Sequence, residues 1–327
     1  MNDCYNRTID YLRVSVTDRC NFRCAYCMPP EGVTLLDHTE ILSYEEMLRI
    51  IAVLSRHGIK KIRLTGGEPL VRKGIVEFIA EITALQTITD ISMTTNGSLL
   101  AGKAQQLKTA GLHRVNISLD TINPQRFHSI TGKGKIGDTL AGITAALKVG
   151  LTPVKINVVL TEVVTESDLA YFIGLVCQYP IAVRFIEYMP IGNCGVKPGL
   201  SINAVKSMLS VAGGSTLEAI SMIDKGNGPA KYYQLPQAKG TFGFITPISE
   251  HFCNDCNRLR LTADGKFKPC LLSNKEIDVK GPMRSGANDE ELAALFYEAI
   301  REKPSSHDLC RISGHSEFSR RMSQIGG

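Results

Sequence analysis

No uncharged apolar run in this chain reaches the roughly 20 residues that span a bilayer. Met1 leads into Asn2, Asp3 and Cys4 and not into a basic and then apolar leader. Membrane insertion and export are therefore not expected, and the expected compartment is the cytoplasm. The Asn-Gly-Ser at 96–98 spells a glycosylation sequon, which without export reads as chance. A concentrated basic tract is also missing. The formal charge of +5 is modest for 327 residues and dispersed along the chain, which argues against a nucleic-acid partner while leaving room for a local anion pocket. Low-complexity segments are absent, and ten cysteines are too sparse for a small disulfide scaffold.

With 43% hydrophobic residues the chain can bury a large core, and its length suits about two domains. From residue 11 to about 188, short β-branched runs alternate with longer amphipathic segments. The runs are YLRVSVT (11–17), KIRLT (61–65), ITDISMT (88–94), HRVNISL (113–119), PVKINVV (153–159) and AVRFIEY (182–188). Between the first two, YEEMLRIIAVLSRHG (44–58) sets Met47, Leu48, Ile51 and Leu54 on one helical face. Six strand-helix units imply a parallel sheet with right-handed crossovers. The nucleotide fingerprint G-x-G-x-x-G of an open doubly wound sheet does not follow the first strand. The expected class is therefore α/β, an incomplete (β/α)6 barrel over residues 5–188. A smaller C-terminal domain is expected over 189–327, with AKYYQL and TFGFIT as a β pair and Ala-Asp-Gly (263–265) as a hairpin turn.

Six of the cysteines form two tight groups, while Cys4, Cys177, Cys194 and Cys310 are scattered. Cys20, Cys24 and Cys27 follow the first strand. By residue chemistry they suit a zinc site with a distant fourth ligand such as His38 or His57, buried free thiols, or an iron-sulfur cluster. Cys253, Cys256 and Cys270 are again three, with His251 a conceivable fourth zinc ligand. Strand alternation puts Lys61, Arg63 and Thr65 on one face, and Arg258 and Arg260 on another. Arg13, Lys155 and Arg184 lie on further strands. Cations on the inner face of a closed sheet are costly without an anion, and polyphosphate suits guanidinium and ammonium groups best.

C-x3-C-x2-C after a first strand, an aromatic residue (Tyr26) before the third cysteine, and Gly-Gly-Glu-Pro (66–69) after the second strand resemble the radical S-adenosylmethionine (SAM) superfamily. In that superfamily three thiolates leave one iron of a 4Fe-4S cube open to SAM, and one electron releases a 5′-deoxyadenosyl radical. The strings DYLRVSVTDRCNFRCAYCMPPEG, IRLTGGEPLVR, RFIEYMPIG, FCNDCNRLRLTADGKFKPCL and the terminal IGG are similar to the GTP 3′,8-cyclase family of molybdenum cofactor biosynthesis. That resemblance implies two 4Fe-4S clusters, one on Cys20, Cys24 and Cys27 with SAM, and one on Cys253, Cys256 and Cys270 with substrate. It implies SAM contacts at Tyr26, Gly67, Ser118 and Met189. GTP contacts fall at Arg13, Lys61, Arg63, Thr94, Lys155, Arg258, Leu259 and Arg260, and Gly326 and Gly327 reach into the active site. The implied reaction removes hydrogen from ribose C3′ and joins that carbon to guanine C8. Implied partners are GTP, a downstream cyclic pyranopterin monophosphate synthase and an electron donor such as flavodoxin or ferredoxin, with a homodimer compatible. The competing expectations are a peptide-modifying radical SAM maturase and a zinc-stapled nucleotide- or RNA-binding module.

Overall fold

Six parallel strands and the helices between them fall where the alternation places them. The computed structural model describes residues 1–29, 31–191, 195–221, 228–307 and 320–326. The strands are β1 (Tyr11–Ser15), β2 (Lys61–Thr65), β3 (Asp90–Thr95), β4 (Arg114–Ser118), β5 (Val154–Val159) and β6 (Ile181–Ile186). The connecting helices are α1 (Tyr44–Arg56), α2 (Ile75–Ala84), α3 (Ala104–Thr109), α4 (Pro124–Thr131) with α5 (Ile136–Lys148), and α6 (Glu166–Gln178). The start of α1 is fixed locally: Ser43 Oγ accepts from Glu46 N at 3.2 Å while Glu46 accepts from Ser43 N at 2.7 Å, satisfying two end donors reciprocally.

Period-two patterning then decides the layers. Leu12, Val14, Ile62, Leu64, Val115 and Ile117 are fully buried and pack with Met47, Ile50, Ile51 and Phe78 of the helices in one continuous core. Each such side chain contributes about 1.5–3 kcal/mol by leaving water. The opposite face of the same strands carries Arg13, Arg63, Ser92, Asn116 and Lys155, which are polar yet largely buried. The sheet therefore encloses a polar space on one side and an apolar one on the other.

The C-terminal residues extend this sheet at both edges. They form α7 (Ile202–Ala212), β7 (Glu218–Ile220), β8 (Lys231–Gln234), β9 (Thr241–Ile245), β10 (Arg258–Leu261), β11 (Lys266–Lys268), β12 (Ile277–Asp278), α8 (Lys280–Arg284), α9 (Asp289–Arg301) and α10 (Met322–Ile325). The strand order is β12-β11-β10-β1-β2-β3-β4-β5-β6-β9-β8-β7. β10 runs parallel to β1 and β9 parallel to β6, while the β8–β9 and β10–β11 hairpins are antiparallel, as the β pair and the Ala-Asp-Gly turn led one to expect. Helix α7 was not anticipated, because the Gly and Pro residues around it mask its short apolar stripe of Ile202, Val205 and Leu209. A string spelled G-x-G-x-x-G does occur at 132–137, but it joins α4 to α5 with no strand feeding it. Among the described residues, no helix is long and apolar enough to cross a membrane.

Candidate active site

The first cysteine trio sits on the loop that leaves β1. Backbone bonds from Arg23 N to Thr131 O (2.8 Å) and from Ala25 N to Ile130 O (2.9 Å) tie the loop to the end of α4. Cys27 N and Met28 N both donate to Cys24 O, curling the backbone between the second and third cysteines into a turn. Tyr26, between the second and third cysteines, donates its hydroxyl to Asp120 Oδ2 at 2.8 Å, and Asp120 Oδ1 accepts from Val159 N at 2.8 Å. Burial pushes the Cys20 thiol up to about 11, and it pushes Cys24 up as well, further raised by the neighbouring Cys27, Asp120 and Cys20. Thiolates there need a positive centre, which an iron core supplies, so this donor set fits the implied cluster. His38 and His57, the candidate fourth ligands, do not line the chamber. His57 Nδ1 is 2.7 Å from Tyr297 Oη at the end of α1, and His38 lies in a separate cleft with Arg19 and Arg284.

The second-strand loop closes against the first. Gly67 N donates to Thr17 O and Glu68 N to Arg19 O, both at 2.8 Å. A Cβ at Gly67 would overlap the Arg19 carbonyl, so glycine is required for this approach. Glu68 is buried and accepts from Thr95 Oγ1 (2.7 Å), Asn96 N (2.7 Å) and Leu70 N (3.0 Å). Burial outweighs those donors and lifts its carboxyl to about 7. Gly67→Ala is expected to lower the iron retained by the first trio and the temperature of unfolding. Gly137→Ala, in α5 with nothing within 4 Å of the new Cβ, leaves iron unchanged and stabilises by up to about 1 kcal/mol. Iron assays and thermal melts on the two variants check this contrast.

The second trio faces the same space. Cys253 opens a 3-10 turn, Cys256 closes it with its N–H on Cys253 O at 3.2 Å, and Cys270 follows β11. The Cys256 thiol is raised by burial, but Arg258 and Lys303 outweigh this and bring it down to about 6. His251 and His307 bring their ring nitrogens within 4.8 Å of the Cys253 sulfur and of each other. Nε2 of His307 is also 2.7 Å from Pro247 O. Both trios line one chamber together with Arg13, Tyr26, Arg63, Gly67, Thr94, Ser118, Met189, Arg258 and Arg260.

Arg13, Arg63, Arg184, Arg258 and Arg260 line that chamber, whereas Lys155 and Arg114 share the same strand faces but lie outside its lining. Arg260, Arg13 and Arg63 are direct neighbours on β10, β1 and β2. Arg63 donates to Ser92 Oγ at 3.3 Å, Arg184 to Asn157 Oδ1 at 2.9 Å, and Arg114 pairs with Asp90 at 2.6 Å. Lys155 is 3% exposed and its Nζ lies 5.7 Å from the centre of the Tyr232 ring. Burial first, then mutual repulsion, pulls Arg63 down to about 10, and burial with Arg184, Arg114 and Arg63 pulls Lys155 down to about 6. Arginine stays protonated in proteins, so its downward direction registers the cost of confining like charges, which a bound polyanion offsets. Lys61 sits apart, paired with Asp10 at 2.8 Å and outside the chamber lining. Leu259 turns its side chain into the apolar core on the opposite face from Arg258 and Arg260. The segment 322–326 also reaches the site. Arg260 Nη1 donates to Gly326 O at 2.5 Å, and a Cβ at Gly326 would stand 2.7 Å from Thr65 Cγ2. Gly327 lies outside the described residues.

Arg114, Asn157 and His307 were not singled out from sequence. The alternation that flagged Arg63 also points Arg114 inward, with Asn116 and Ser118. His307 carries no local signal.

A parallel sheet with a three-cysteine loop after its first strand is the architecture of radical SAM proteins, and residues 14–176 match the radical SAM superfamily. The fold is similar to SuiB of Streptococcus suis (TM-score 0.64, 13% identity, 92% of this chain and 68% of that chain). It is also similar to anSMEcpe with bound AdoMet (TM-score 0.55, 15% identity, 90% of this chain and 81% of that chain). Residues 181–309 match Molybdenum Cofactor Synthesis C. Over the full length of both chains, the sequence is 51% identical to the GTP 3′,8-cyclase of Desulforamulus reducens and 49% identical to that of Heliobacterium modesticaldum. The chain belongs to the GTP 3′,8-cyclase family.

Proposed function

We propose that this enzyme converts GTP to 3′,8-cyclo-7,8-dihydro-GTP, the first step of molybdenum cofactor biosynthesis. The observation that carries this reading is that two cysteine trios, neither extended by a fourth cysteine among the described residues, line one chamber whose inner strand faces bear buried cations. In this reading residues 5–188 hold the radical-generating half, and residues 189–327 supply the second trio and the tail. Cys20, Cys24 and Cys27 hold a 4Fe-4S cluster with SAM bound among Tyr26, Gly67, Ser118 and Met189. Cys253, Cys256 and Cys270 hold a second 4Fe-4S cluster beside the guanine. When bound, the first cluster and SAM supply a 5′-deoxyadenosyl radical that takes hydrogen from ribose C3′, after which C3′ bonds to C8 and one electron and one proton complete the product.

The protein's own part is placement. Arg13, Arg63 and Lys155 engage the triphosphate, with Thr94 beside them, Arg184 supports the same face through Asn157, and Lys61, paired with Asp10 outside the chamber lining, takes no direct part. Arg258, with Leu259 as its strand neighbour, and Arg260 border the second trio, and Arg260 also holds Gly326. In this reading Gly327, outside the described residues, has the same role as Gly326. Tyr26 is oriented by Asp120. Such positioning is where a protein contributes most to a radical ring closure. The reading also calls for a one-electron donor of the flavodoxin or ferredoxin kind and a downstream cyclic pyranopterin monophosphate synthase. Protein reconstituted without oxygen is expected to carry about eight irons per chain and, with GTP, SAM and a low-potential reductant, to form the cyclized nucleotide with 5′-deoxyadenosine. No consumption of GTP under those conditions overturns the proposal.

A further inference from the structure

Lys303 lies two residues beyond α9 and is 4% exposed. Its ammonium donates to Cys256 Sγ at 3.3 Å, to Arg258 O at 2.9 Å and to Pro269 O at 3.1 Å. An ammonium has three donors, and all three are used. None of the acceptors is a carboxylate. The one that carries charge when deprotonated is the sulfur, and a buried ammonium is costly without an anion beside it.

The three contacts join the segments that build the second trio. Arg258 begins the strand that follows Cys256, and Pro269 immediately precedes Cys270. The segment just after Lys303 is itself fixed from the other end of the chain. Buried Arg7, paired with Asp3 at 2.6 Å, donates to Pro304 O (2.8 Å), to Ser305 O (3.1 Å) and to Cys253 O (2.9 Å). Lys303 is thus held in place independently of its contact with sulfur.

We propose that Lys303 is a positioning and potential-setting residue for the second trio: it fixes Cys256 against Cys270 and raises the reduction potential of a cluster bound there. The proposal rests on the reading that this trio holds an iron-sulfur cluster. Reduction adds negative charge to a cluster, and a fixed cation donating N–H to a ligand sulfur favours the more negative state. Arg258 Nη2, at 3.5 Å from the same sulfur, acts in the same direction but more weakly, being longer.

The test uses full-length protein with Cys20, Cys24 and Cys27 all changed to alanine, so that only the second trio can carry iron. Lys303→Met and Lys303→Arg are made in that background and reconstituted without oxygen. Iron and sulfide are then assayed, and the midpoint potential is read by titration monitored by electron paramagnetic resonance. The methionine variant is expected to favour the oxidised state by at least tenfold in the reduction equilibrium, a fall of about 59 mV for one electron. The arginine variant keeps the parent's potential. A methionine variant that loses its iron while the arginine variant keeps it also supports the assignment, through positioning. An unchanged potential in Lys303→Met overturns it, as does loss of iron or potential in both variants. If the parent background itself takes up no iron and sulfide, the cluster reading fails first and the proposal falls with it. A residue that only packed would alter the melting temperature without moving the potential.

Discussion

Changing Cys253, Cys256 and Cys270 together to alanine is expected to leave a folded protein that reconstitutes to about four irons in place of about eight. It still turns SAM into 5′-deoxyadenosine with a reductant, and its cyclized product falls by at least about a hundredfold. The separation follows from how each trio is held. The first loop hangs from β1 and is tied to α4 through Thr131 and Ile130, and to β4 and β5 through Tyr26, Asp120 and Val159. The second is a turn entering β10 and the exit from β11, braced by Arg7 and Lys303. Neither brace reaches the other loop, so one site can be emptied without unlatching its counterpart. None of the six cysteines is fully buried as a residue, and each loses only one sulfur atom, so alanine there leaves no large cavity. Alanine at Cys20, Cys24 and Cys27 should show the mirror image: about four irons, and no 5′-deoxyadenosine at all. Measured iron, nucleoside release and product decide the matter. Product formation at the parent rate without the second trio would mean that the guanine is not held there.

GTP binding at pH 7.5 is expected to take up close to one proton, and the uptake should vanish in Lys155→Arg. Burial, with Arg184, Arg114 and Arg63 beside it, holds the Lys155 ammonium near a pKa of about 6 in the protein without nucleotide, so the side chain is mostly neutral at pH 7.5. A triphosphate placed among these cations favours the charged form and raises that pKa in the complex. The bound state therefore holds more protons than the free state between about pH 6 and the pKa of the complex. Affinity must fall as pH rises across that window, by at most about tenfold per pH unit. Folding responds in the opposite direction. The unfolded chain keeps its lysine protonated up to the ordinary value of 10.5, whereas the fold releases the proton near 6, so this group makes the nucleotide-free protein more stable as pH rises between the two. Calorimetry in two buffers of different ionisation enthalpy measures the uptake directly. Equal heats in both buffers would show that Lys155 is already charged before GTP arrives.

Local patterning carried much of this in plain view. The six parallel strands, the amphipathic helix at 44–56, the two hairpins and both cysteine trios could be read from residue spacing, because each depends on neighbours within a few positions. The face that Arg63 occupies was likewise implied by alternation, which puts every second side chain on the same side of its strand, whereas its place beside Arg13, with Arg260 beyond, came from strand register. Arg114 followed the same rule and was overlooked.

By itself, then, the amino-acid order determined which residues bear the chemistry and which face of each strand they occupy, since period and turn residues act over short range. Tertiary structure alone decided who meets whom. It placed Lys303 on a sulfur 47 positions earlier, Tyr26 on a carboxylate 94 positions later, and the penultimate glycine on Arg260. It also laid β10 and β9 on opposite sides of the six parallel strands. Those pairings come from strand register and from burying charges where partners exist. No window of sequence contains both members of such a pair, so they emerge only once the chain is folded.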